Sequence, residues 1–138
     1  MPTATFPGVY KSLEPIANFV EIEAKKLPFT DKELYGILLA VDEACANIID
    51  HAYCCEGAGD IKVTVTARRN HLFLQFEDKG SPCALDDVQM PDLSSPLEER
   101  SERGLGVYTM RKMMDEVKLE RVDGMVNRLT MKKSKRRA

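Results

Sequence analysis

Between residues 12 and 27 the apolar positions Leu13, Ile16, Phe19, Val20, Ile22, Ala24 and Leu27 recur at helical spacing, and Leu27-Pro28 closes that segment. A second and cleaner stripe follows in Leu34, Ile37, Leu38, Val41, Cys45, Ile48 and Ala52. Thr30 precedes it as the cap, and Glu33 stands three residues later, the spacing of a capping box. Gly57 and Gly59 end the run. The period then changes from 3.6 to 2. Ile61, Val63 and Val65 alternate with Lys62, Thr64 and Thr66, which predicts a half-buried strand over 60–67. After the turn Arg68-Arg69-Asn70, Leu72, Leu74 and Phe76 mark a second strand over 71–77. Residues 78–103 carry no period. Pro82, Pro91 and Pro96 fall there, with six carboxylates between Asp86 and Glu102. Gly104-Leu105-Gly106 opens a third helix reaching about Asp115, and Val117–Val122 with Val126–Met131 form a hairpin around Asp123-Gly124.

Hairpin-joined strands with helices between the pairs predict an α+β two-layer sandwich and not a doubly wound parallel sheet. A length of 138 residues fits one domain, 1–138. Net charge is −2, but five of the 20 basic residues lie in 132–138. Residues 1–131 hold 15 basic against 22 acidic groups, so a nucleic-acid-binding body is excluded and 132–138 reads as a basic tail. No run approaches a membrane span, and no signal peptide is readable, which points to the cytoplasm. Cys45, Cys54, Cys55 and Cys83 then read as reduced thiols; Cys54-Cys55 lacks the spacing of a metal or redox pair.

Three clusters carry candidate chemistry. Glu43, Asn47 and Asp50/His51 share a face of the second helix, where a carboxylate and a carboxamide one turn apart offer a base and an oxygen ligand for Mg²⁺. Asp78-Lys79-Gly80-Ser81-Pro82 follows a strand, where Asp78 can accept from a ligand amine and Gly80 permits close approach. Arg103-Gly104-Leu105-Gly106 enters a helix, with amides and a fixed cation suited to phosphate. Each alone also describes an ordinary polar face, a turn or a helix entry.

Their order is more specific. Glu43-Ala44-Cys45-Ala46-Asn47 with the later His51-Ala52-Tyr53 resembles the N box of the GHKL (Bergerat-fold) ATPase superfamily. Within it, the resemblance is to bacterial anti-sigma factor serine/threonine kinases. Asp78–Pro82 resembles the D-x-G-x-P box, Arg103–Gly106 the late glycine box, and Met114–Val117 the M-D-E-V that follows it. The similarity spans about residues 9–133. It implies a mainly antiparallel sheet covered by helices on one face, binding ATP and Mg²⁺. Asn47 is then the Mg²⁺ ligand and Glu43 the general base. Asp78 and Gly80 meet adenine; Arg103, Gly104, Leu105 and Gly106 meet phosphate, with Arg100 a rival to Arg103. Residues 83–102 become the ATP lid. The implied partners are a STAS-domain anti-sigma antagonist as substrate, a sigma factor or other target, and a second copy as homodimer. The implied alternative is a non-catalytic ATP-binding module. Two departures stand out: Cys83-Ala84-Leu85 replaces a common Phe-Asp-Pro, and Asn127 falls where some relatives carry threonine.

Overall fold

Strand-period apolar residues converge on one sheet face and helix-period residues cover it. The computed structural model describes residues 2–53, 56–81 and 102–135, with residues 51 and 102–107 described by their backbone. In chain order the elements are β1 (Thr3–Pro7), a 3₁₀ turn (Tyr10–Ser12), α1 (Leu13–Ala24), α2 (Asp31–Asn47) and a π-helical segment (Ile48–Ala52). There follow β2 (Asp60–Arg68), β3 (His71–Asp78), α3 (Glu102–Met113), β4 (Glu116–Val122) and β5 (Val126–Ser134). The sheet order is β1-β2-β3-β5-β4, and every pairing is antiparallel.

Ile61, Val63 and Val65 of β2, Leu72, Leu74 and Phe76 of β3, and Leu129 and Met131 of β5 are buried against Ile16, Val20, Ile37, Val41 and Ile49 from the helical layer. Removing each such side chain from water contributes about 1.5–3 kcal/mol. The same alternation carries Asp78 and Asn127 onto the inward face, where they are 5% and 3% exposed. The core rows therefore end in polar residues at one end of the sheet.

The capping box at Thr30 is present: Glu33 N donates to Thr30 Oγ1 at 3.1 Å, and Thr30 N to Glu33 Oε1 at 2.9 Å. Three expectations need correction. β1 was not legible, because TATFP is short and ends in proline; it forms by pairing antiparallel with β2, and Phe6 meets Phe19 edge-on at 5.9 Å. The third helix starts at Glu102, ahead of its glycines. Residues 132–134 are not a tail: Lys132, Lys133 and Ser134 pair with Phe73, Leu72 and His71. Alternation of apolar side chains stops at Met131, but backbone pairing runs on for the full length of β3. Lys135 then pairs with Glu33 at 2.7 Å.

Candidate functional site

The second helix does not end as a plain α-helix. After Asn47 it widens into the π-helical turn 48–52, closed by Tyr53 N donating to the Ile48 carbonyl at 2.9 Å. Such turns are rare and frequent at functional sites. This one delivers two contacts to the end of β3. The Ala52 carbonyl accepts from Ser81 N at 2.8 Å. The Tyr53 hydroxyl accepts from Lys79 N at 3.1 Å and donates to the Asp60 carbonyl at 2.6 Å. Residues 79–81 are thereby held under the C-terminal end of the helix that carries Glu43 and Asn47.

Gly80 is needed for this approach. A Cβ there would lie 2.4 Å from the Ala52 carbonyl oxygen and 2.6 Å from its carbon, both backbone atoms. The close neighbour that demands glycine in this structure is the helix itself.

Asp78 is the last residue of β3, not a turn residue, and its carboxylate is buried. Among the described residues its hydrogen bonds are all made at Oδ1, which accepts from Gly80 N at 2.8 Å and Asn127 Nδ2 at 2.9 Å. Burial pushes the carboxyl above the ordinary carboxylate range; the Asn127 and Gly80 bonds and the Arg121 charge oppose that shift. Asn127 Nδ2 also donates to the Ser81 carbonyl at 2.8 Å. Beside Asp78 opens a groove whose walls include Tyr53, Gly59, Asp60, Lys62 and Lys79.

Glu43 and Asn47 lie four residues apart on α2 and are both half-buried. α3 packs on α2: Met113, at the end of α3, meets Gly36, near the start of α2. Gly104 lies in the first turn of α3, where N–H groups have no intrahelical partner; Gly106 lies in the second. Arg103 and Leu105 belong to the same two turns. Arg100 and the segment 83–101 lie outside the described residues, as do Cys54 and Cys55, while Glu102 is the first residue of α3.

Asn47 supplies a hard carboxamide oxygen, and no cluster of three His, Cys, Asp or Glu side chains exists among the described residues. Magnesium is commonly held by one or two protein oxygens together with substrate phosphates and water. That donor set fits Mg²⁺ arriving with a nucleotide and does not resemble a zinc cage. Cys45 is fully buried, and burial pushes its thiol far above its ordinary value, so it is a core residue.

The sequence reading missed Arg121. Its Nη1 donates to the Gly80 carbonyl at 2.9 Å and to Asn127 Oδ1 at 3.0 Å; its Nη2 donates to the Gly124 carbonyl at 3.0 Å. The available signal was positional: counting back around the Asp123-Gly124 turn puts Arg121 opposite Asn127.

Residues 6–133 match the family described as histidine kinase-like ATPase domain. The chain is 32% identical over 112 residues to the serine-protein kinase RsbW of Bacillus velezensis, covering 78% of this chain and 69% of the relative. It is 29% identical over 111 residues, with the same coverage, to RsbW of Bacillus thuringiensis. Among solved structures, the catalytic domain of the histidine kinase ThkA is similar at TM-score 0.58 and 15% identity, over 98% of this chain and 97% of that one. The histidine kinase domain of a blue-light activated kinase from Erythrobacter litoralis EL346 gives 0.55 at 18% identity, over 94% and 61%. These structural likenesses carry the fold, and the sequence matches carry the kinship. The chain belongs to the histidine kinase-like ATPase domain family, in the group that contains the RsbW serine-protein kinases.

Proposed function

We propose that this chain is an ATP-dependent serine/threonine protein kinase of a partner-switching system. Its substrate is a STAS-domain anti-sigma antagonist, and its second partner is a sigma factor or another regulatory target. The observation that carries the reading is the Asp78 carboxylate, buried at the end of a core strand and anchored, among the described residues, through Oδ1. A carboxylate so placed presents Oδ2 as an acceptor for the exocyclic amine of adenine.

The remaining roles complete this reading. Asn47 holds Mg²⁺ bound with the nucleotide, and the ion supplies positive charge against the phosphates. Gly104 N–H, in the first turn of α3, donates to a phosphate oxygen, and Leu105 and Gly106 continue that turn. Arg103 adds charge toward the terminal phosphate. Glu43 takes the proton from the substrate hydroxyl as its oxygen attacks the γ-phosphorus, and ADP departs. Little covalent chemistry falls to the protein; positioning and charge neutralisation carry the rate. The segment 83–102 acts as the lid.

On the sheet face opposite the helices Thr64, Thr66, Phe73, Gln75 and Thr130 line a shallow depression among the described residues, which suits pairing of two copies. No helix among the described residues is long and apolar enough to cross a membrane. The test is incubation with γ-labelled ATP, Mg²⁺ and a STAS-domain protein. Label on a serine or threonine of that protein, lost in Glu43→Gln, supports the kinase. ATP binding without transfer, unaltered by Glu43→Gln, supports a regulatory ATP-binding module instead.

A further inference from the structure

Asp78, Asn127 and Arg121 form one row across three strands: Asp78 pairs with Asn127 in the β3–β5 register, and Asn127 with Arg121 in the β5–β4 register. Two N–H groups converge on Asp78 Oδ1, one from Gly80 and one from Asn127. Arg121 Nη1 donates to the acceptor oxygen of each of those same two residues. A single guanidinium nitrogen therefore grips both groups that fix the carboxylate. Arginine is donor-only, so Asn127 must present Oδ1 toward it and its amine toward Asp78. Nη2 completes the fork on the Gly124 carbonyl, a three-acceptor grip that a lysine point charge cannot reproduce.

We propose that Arg121 is a positioning residue which, through Asn127 and Gly80, sets the orientation of the Asp78 carboxylate and with it the selectivity for the base. The inference rests on the reading of Asp78 as the adenine acceptor. It makes an exposed side chain on the edge strand β4 a determinant of nucleotide choice. Other charged or titratable groups near Asp78 are Tyr53 of the π-helical turn, Asp60 and Lys62 of β2, and Glu77 and Lys79 flanking it in sequence. None of these makes a hydrogen bond to Asn127 among the described residues.

The experiment compares ATP with purine riboside triphosphate, which lacks the 6-amino group, for the full chain and its Arg121→Ala variant, with Mg²⁺ throughout. Arg121→Ala is expected to weaken ATP at least fivefold while leaving the amine-less analogue within twofold. Arg121→Lys should recover less than half of the loss. In an Asn127→Ser background Arg121→Ala should have a smaller effect than in the wild-type background, because only the route through Gly80 remains. Should Arg121→Ala melt early, Arg121→Gln, which keeps a donor, replaces it. The carboxyl carbon of Asp78, followed by NMR without nucleotide, should titrate at higher pH in the arginine variants. Equal weakening of both nucleotides, or an unmoved Asp78 titration, would overturn the role of Arg121. If the wild-type chain binds both nucleotides alike, the reading of Asp78 has failed, and this inference with it.

Discussion

Asn127 Nδ2 lies 2.9 Å from Asp78 Oδ1, a side-chain bond between residues 49 positions apart that face each other in the β3–β5 register. It joins the buried carboxylate of Asp78 to β5 across the sheet. Asn127→Ala removes a charge-assisted bond from that carboxylate and a donor from the Ser81 carbonyl. The expected loss is about 1.5–3 kcal/mol in urea unfolding at neutral pH. Asp78 already titrates above the ordinary range, and Asn127 opposes that shift. The loss should therefore shrink as the pH falls and Asp78 protonates.

Two glycines separate steric demand from conformational demand. A Cβ at Gly80 meets the Ala52 backbone at 2.4 Å, whereas a Cβ at Gly124 meets nothing within 4 Å but sits at φ +68. Gly124, with Asp123 at φ 54, forms the tight turn where Met125 N donates to the Val122 carbonyl. Gly124→Ala should cost about 1 kcal/mol through its positive φ. Gly80→Ala should cost more, about 1–3 kcal/mol by overpacking, and should weaken ATP as well. Thermal melting and calorimetric titration of both variants check the ranking.

Glu33 gives a pH signature away from the site. The Lys135 hydrogen bond, then the Thr30 backbone bond, hold its carboxyl down at about 2, below its ordinary 4.5. A depressed value stabilises the fold fully above pH 4.5, and that contribution fades as pH falls toward 2. The pair is partly solvated, so Glu33→Gln should cost about 1 kcal/mol at most at pH 7, less in high salt and only a small part of that near pH 2. Urea unfolding at those pH values checks it.

Asn47→Ala should weaken ATP binding in the presence of Mg²⁺ by tenfold or more, with little change when a chelator is present. Equal affinities for wild type and variant under both conditions would remove Asn47 from the metal site.

Period and capping made the two long helices, β2, β3 and the terminal hairpin legible, because each has its own alternation or its own cap. β1 was not, since it owes its existence to pairing with β2. The π-helical turn was hidden as well: Ile48, Ile49 and Ala52 read as a continuing stripe, and the contacts the turn makes with residues 79–81 lie far off in sequence. Spacing singled out Asp78 and Gly80 as ligand contacts, whereas the three-dimensional structure shows what holds each of them in the fold. Strand alternation buries Asp78, and helix contact dictates Gly80. Arg121 lay beyond reach, because its partners are carbonyls and an amide in segments up to 41 residues away. The lysines at 132 and 133 looked like a tail because charge hides a strand whose pairing is made by the backbone.

The central claim is that Asp78 reads the adenine amine, and its most direct measurement is titration of wild type and Asp78→Asn with ATP and GTP in Mg²⁺. Guanine presents a carbonyl where adenine presents its amine, so the wild-type carboxylate should favour ATP by at least tenfold. In Asp78→Asn the amide oxygen can still accept from Gly80 and Asn127, placing the amide nitrogen where Oδ2 stood. That variant should remain folded and lose the preference for ATP or reverse it. Equal wild-type affinities for ATP and GTP, or an undiminished preference in Asp78→Asn, would contradict the account.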